Sequence, residues 1–194
     1  MVDVTLKCRC GAVQGVARNV SADTGTRIVC YCDDCQAFAR YLDQEDTVLD
    51  EYGGTDIFQI TPAQVEITQG AELIRCMRLT EKGLFRWYTA CCKTPIGNTL
   101  SAGVPFVGII HNFMDDDGVR DQNLGPVRGH VLCKFARGTL PAARNQTGFP
   151  LRLVIRALSR LLVAKLRGQN RPSPFFNSNG IPVSAPQISK ATAP

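Results

Sequence analysis

Apolar and polar residues alternate over residues 4–18 (VTLKCRCGAVQGVAR), with Gly11 and Gly15 as breaks. This predicts a β-hairpin with Cys8 and Cys10 two apart on one face and Arg9 pointing outward between them. Thr26–Cys30 reads as a short strand entering a cysteine turn. The following CQAFARYL has helical spacing, with Asp33 or Asp34 placed to cap its start. Further strands are expected in TDIFQITPAQVEI, in ELIRCMRLT and in LFRWYTACC, an aromatic strand that would deliver Cys91 and Cys92. Lys82-Gly83 predicts a turn, and KTPIGNT a sharp one, since Thr94 precedes a proline and Gly97 follows shortly. VPFVGIIHNF reads as a buried strand, DDDGVRDQNLG as an acidic loop, and GHVLCKFARG as the last strand of the body.

The period then changes from two to that of a helix. In FPLRLVIRALSRLLVAKLRG, residues Leu151, Val154, Ile155, Leu158, Leu161, Leu162 and Leu166 share one face. Arg152, Arg156, Ser159, Arg160 and Arg167 occupy the other, with Pro150 near the start and Gly168 at the end. Residues 169–194, rich in Pro, Ser, Asn and Ala, predict an extended or disordered tail unless it packs on something, with Phe175 and Phe176 as the anchor. The organisation expected is therefore a mainly β domain over 1–140, a basic amphipathic helix over 141–168 and a tail over 169–194.

Charge sharpens this division. Residues 1–127 carry 11 Lys+Arg against 17 Asp+Glu, hence −6; residues 128–194 carry 11 Lys+Arg and no acidic residue, hence +11. A basic segment of this kind has three readings: it caps the acidic body with its apolar face, pairs with a second copy as a homodimer, or lies on an anionic membrane surface. No aromatic residues interleave the arginines, which argues against nucleic acid. The start of the chain has no signal-peptide pattern and the 151–166 stretch contains four cations, so a cytoplasmic protein is expected.

In that compartment nine cysteines at spacings this short point to metal rather than disulfides. Seven of them fall in three clusters: Cys8 and Cys10; Cys30, Cys32 and Cys35; Cys91 and Cys92. The C-x-C-x-x-C run lets one turn aim three sulfurs at a point, as a thiophilic ion requires. Cys76 and Cys133 sit in apolar strands and read as core packing. His111 and His130 could complete a ligand set but read first as partly buried histidines, and Asp115–Asp117 as a solvated turn.

The order CRCG (8–11), CYCDDC (30–35) and CCKTP (91–95) resembles the glutathione-dependent formaldehyde-activating enzyme family, also called the centromere protein V domain family, over roughly residues 4–138. The resemblance implies a β-tent zinc-binding fold with one or two zinc ions. One is a structural four-cysteine site from the first and last clusters, and the other a catalytic three-cysteine site at Cys30, Cys32 and Cys35. Cys8, Cys10 and Cys92 match the structural set. The remaining position falls on Thr89, and Cys91 stands next to Cys92 instead, so both can reach one ion only if the chain turns there. Three thiolates leave zinc one open position for water or a substrate thiol. The implied activity is carbon–sulfur lyase-like, forming or cleaving an adduct of formaldehyde with glutathione or another small thiol. The alternative is a non-catalytic, zinc-scaffolded binding module acting through its basic C-terminal third.

Overall fold

The computed structural model describes residues 1–115, 118–145 and 150–188. Asp116 and Asp117 of the acidic run lie outside the described residues, while Asp115 pairs with Lys7 at 2.8 Å. The chain begins with strands β1 (Val2–Lys7), β2 (Gln14–Val20) and β3 (Thr26–Cys30), followed by helices α1 (Asp33–Tyr41) and α2 (Glu45–Val48). Six strands come next: β4 (Thr55–Ile60), β5 (Val65–Gln69), β6 (Ile74–Arg78), β7 (Phe85–Thr89), β8 (Pro95–Thr99) and β9 (Val107–Ile110). Helix α3 (Arg120–Leu124), strand β10 (His130–Val131), helix α4 (Leu151–Leu166) and strand β11 (Gln187–Ile188) complete the described order.

The strands form two sheets, one of three in the order β1-β2-β5 and one of eight in the order β10-β3-β4-β9-β8-β7-β6-β11. Pairing is antiparallel except at the two ends of the large sheet, where β10 joins β3 and β11 joins β6 in parallel. The molecule is thus mainly β with one long C-terminal helix.

Runs of consecutive apolar residues follow from a sheet covered on both faces, because neighbouring residues of a strand point to opposite sides. Phe58, Cys76, Trp87 and Ile109 share one core cluster with Val4, Leu6, Ala17 and Val65 of the small sheet. Their immediate neighbours Ile57, Met77, Tyr88 and Ile110 join Phe38, Ala39 and Leu42 of α1 on the other face. The small sheet and α1 therefore sandwich the large one.

Two aromatic residues far along the chain complete the first core. Phe175 (0 % exposed) and Phe176 (7 %) pack on Trp87 and Phe85, with ring centroids 5.1 Å apart for Trp87–Phe175 and 5.2 Å for Phe85–Phe176. Residues 169–188 accordingly run along the body, and β11 extends the large sheet.

Several local expectations change. PIGNT is a fully buried strand, not a turn. Pro95 opens it, where no ladder hydrogen bond is lost, and a Cβ on Gly97 would stand 2.5 Å from the Gly108 carbonyl oxygen of β9. The cap of α1 is Cys32, whose sulfur accepts from the Cys35 N–H, while Asp33 and Asp34 lie in the first turn. β10 has only two residues, since Leu132 turns into the left-handed region (φ 56°). Finally, α4 meets the body with the opposite face from the apolar stripe, as developed below.

Candidate metal centres

The first cysteine cluster is built by a turn, not by a strand face. β1 ends at Lys7, and Cys8 then accepts from the Gly11 N–H through its carbonyl while its own N–H donates to the Val13 carbonyl. Gly11 has φ 76°, a conformation that glycine adopts without steric penalty, and it brings the chain back towards Cys8. The Val13 N–H also donates to Cys8 Sγ at 3.3 Å.

The third cluster is built the same way. β7 ends at Thr89, the Lys93 N–H returns to the Thr89 carbonyl at 2.9 Å, and Lys93 takes φ 54°. This reversal lets two sequence neighbours point to one place. Cys8, Cys10, Cys91 and Cys92 each offer one sulfur, and the four sulfurs lie within 4.8 Å of one another. Cys8 and Cys10 are 3.6 Å apart, Cys8 and Cys91 3.8 Å, and Cys91 and Cys92 3.8 Å. Sulfurs bound tetrahedrally to zinc at about 2.3 Å stand about 3.8 Å from each other. The donor set therefore fits such an ion.

Thr89 takes a supporting place. Its hydroxyl accepts from the Thr94 N–H at 3.1 Å and lies 3.5 Å from Cys92 Sγ. Burial pushes the Cys92 thiol up, but hydrogen bonds from the Thr89 and Thr94 hydroxyls and from Cys10 outweigh it and bring Cys92 down to about 5. The Arg9 N–H donates to Thr94 Oγ1 at 3.1 Å and ties the two turns together.

The middle cluster stands apart, where β3 passes into α1. Cys30, Cys32 and Cys35 lie within 4.8 Å of one another, with Cys30 and Cys32 at 3.3 Å. Among the described residues, no fourth His, Cys, Asp or Glu joins the group. The three sulfurs share protons unequally. Hydrogen bonds with Cys32 and Cys35 push Cys30 up, whereas hydrogen bonds from Cys30 and Cys32, together with the nearby Arg86, hold Cys35 well below the ordinary thiol value. Cys30 lowers Cys32, but Cys35 and burial outweigh it and leave Cys32 at about 12.

These sulfurs border a cavity of about 440 Å³ whose walls include Ile28, Ile57, Leu84, Phe106, Val131 and Phe135. Its polar groups include Gln59, Asn98 and Arg86. Arg86 is 1 % exposed, reaches Asp34 at 3.2 Å and Asn98 at 3.4 Å, and stands over the Phe38 ring at 5.6 Å. Its Nε has no hydrogen-bond partner among the described residues. Sequence reasoning missed Arg86. The available signal was a cation between Phe85 and Trp87, where a strand covered on both faces has no water to receive it.

The other candidates go elsewhere. His130 Nδ1 contacts the Tyr31 hydroxyl at 3.3 Å, and His111 Nδ1 contacts the Asp56 carbonyl at 3.3 Å, on a separate cavity of about 500 Å³. Burial lowers the pKa of both. Cys76 is buried in the first core and pushed up to about 12 by that burial, and Cys133 donates to the Arg144 carbonyl at 3.2 Å. Neither histidine and neither of these cysteines belongs to a ligand group among the described residues.

Comparison with known proteins adds a family but no activity. The family described as a family of unknown function, DUF6151, matches residues 1–186, and the chain belongs to it. No curated protein matches. A protein of Rhodobacter sphaeroides known from its crystal structure is 17 % identical, with a TM-score of 0.41, over 63 % of this chain and 96 % of that one.

Proposed function

We propose that this member of DUF6151 is a zinc protein with one closed structural centre and one open centre that handles a small thiol. Cys8, Cys10, Cys91 and Cys92 would hold the structural ion, and Cys30, Cys32 and Cys35 the other, within a β-tent-like domain of the kind implied by its resemblance to the formaldehyde-activating enzymes. The observation that carries this reading is the incomplete ligand set: three converging sulfurs, no fourth protein donor beside them among the described residues, and a cavity adjoining them.

When bound there, zinc supplies a thiolate at neutral pH and a fixed position for it. The protein's own contribution is distinct. The aliphatic and aromatic walls reduce the water around the sulfurs, which strengthens the electrostatic interactions there. Three thiolates and a dication sum to one negative charge, and the guanidinium of Arg86, shared with Asp34, faces it from a position water hardly reaches. The net chemistry is addition of a thiol to an aldehyde: a C–S bond forms at the carbonyl carbon, and the thiol proton ends on the carbonyl oxygen. The lyase direction reverses both changes.

Metal analysis of the full chain should give two zinc ions, and a variant with Cys30, Cys32 and Cys35 all replaced by alanine should retain one. Exchange spectroscopy on formaldehyde with glutathione, and with less polar thiols, should show acceleration by the wild type that the triple variant lacks. Equal turnover by the variant would end the catalytic reading. X-ray absorption showing four sulfur or nitrogen ligands at both ions would support a binding module instead.

A further inference from the structure

Helix α4 docks through the buried Leu153 and Ala164 and through two of its arginines, Arg156 and Arg160. Arg160 Nη1 donates to the carbonyls of Asp23 and Gly25, both at 2.8 Å, and Arg156 Nη2 donates to the Ala22 carbonyl at 2.9 Å. These carbonyls belong to the turn before β3, so the two guanidinium groups clamp the helix to the body. Lys165 Nζ adds a bond to the Gly103 carbonyl at 2.6 Å, and Leu153 and Ala164 are the residues of α4 that are buried. The rotation of the helix is thereby fixed.

Its outward face is the apolar one. Leu151 is 73 % exposed, Ile155 57 %, Leu158 62 %, Leu162 62 % and Leu166 79 %. At 100° per residue these five side chains fall within an arc of about 80°, a continuous stripe along the helix. Arg152 and Lys165, both exposed, flank the arc on its two sides. A water-facing helix surface normally carries polar residues, so a stripe of this kind marks a surface that receives something apolar.

We propose that the outward face of α4 rests in the interfacial layer of an anionic lipid bilayer, with the helix parallel to the membrane plane. Charge selects this occupant. The flanks are cationic, and residues 128–194 contain no Asp or Glu. The carboxylate of Asp23, at the turn that receives the helix, already faces Arg128 at 3.7 Å. A stripe of leucines between cations matches acyl chains below acidic headgroups. A second copy fits less well, because both copies would bring cations and no carboxylate to the rim of the shared seam. The sixteen residues of α4 span about 24 Å, short of a bilayer's hydrocarbon core, and no helix among the described residues is long and apolar enough to cross one.

The test is flotation of the purified full chain with vesicles of phosphatidylcholine, alone or with one part in three of phosphatidylglycerol. The chain should float with the anionic vesicles at low ionic strength, at least about tenfold more than with neutral ones, and should be released by added salt. The double variant Leu158→Glu, Leu162→Glu should stay at the bottom while keeping its melting temperature and metal content, because both side chains already face water. Arg152→Glu, which leaves the stripe intact, should weaken flotation without abolishing it. Failure to float with anionic vesicles would overturn the proposal, as would equal binding to neutral lipid or undiminished binding by the glutamate variant. A concentration-dependent dimer that the same variant dissociates, seen without flotation, would assign the stripe to a second copy instead.

Discussion

Cys91 shows how a tight turn lets two sequence neighbours join one cluster. The last cluster lacks a cysteine at Thr89, and the turn closed by Lys93 brings Cys91 within 3.8 Å of both Cys8 and Cys92. Cys91→Ser should therefore lose one zinc ion per chain by metal analysis. Adding Thr89→Cys to that variant should restore the ion in part, since the Thr89 hydroxyl already lies 3.5 Å from Cys92 Sγ. If Cys91→Ser binds as much zinc as the wild type, Cys91 is no ligand. The seven clustered cysteines were legible in the sequence because thiols at such spacings have few other uses in a reduced chain. The turn beside Cys91 and Cys92 was legible from Thr94-Pro95, but its left-handed form at Lys93 was not, because a lysine at φ 54° carries no glycine to announce it.

At the scale of elements, β3 was read at its true bounds, and β4 and β9 were located inside longer stretches, since β-branched and aromatic runs bounded by turn residues are a strong local signal. β8 was hidden by its own proline and glycine, which serve a strand start and a close backbone approach there. The orientation of α4 was not legible either. Periodicity locates an apolar face but does not say what meets it, and here carbonyls of the turn before β3 recruit the arginines. The segment after α4 behaves as part of the core. Phe175→Ala removes a fully buried ring packed on Trp87, and a loss of about 3–5 kcal/mol is expected. Urea denaturation followed by the fluorescence of Trp87, the one tryptophan in the chain, would read both the stability and the local environment. An unchanged midpoint would mean that the segment only decorates the surface.

Across the whole molecule, the four-sulfur centre links the two sheets. Cys8 and Cys10 follow β1 of the small sheet, and Cys91 and Cys92 follow β7 of the large one. An ion held there would clamp the sandwich at one end, so a strong chelator should lower the melting temperature by about 10 °C or more. Added zinc should reverse the change, and a melting temperature indifferent to chelation would rule out a clamping role. The aromatic pair beyond α4 also has a consequence for biosynthesis. Chains emerge from the ribosome in order, and a domain closes only when its last core residues are free to join it. All three cysteine clusters must emerge well before Phe175 and Phe176 can reach Trp87. During that interval all nine thiols stand in a chain whose core is still open, where metal exchange and oxidation compete with folding. The nascent chain is thus most vulnerable after its ligands have been made and before its aromatic plug arrives.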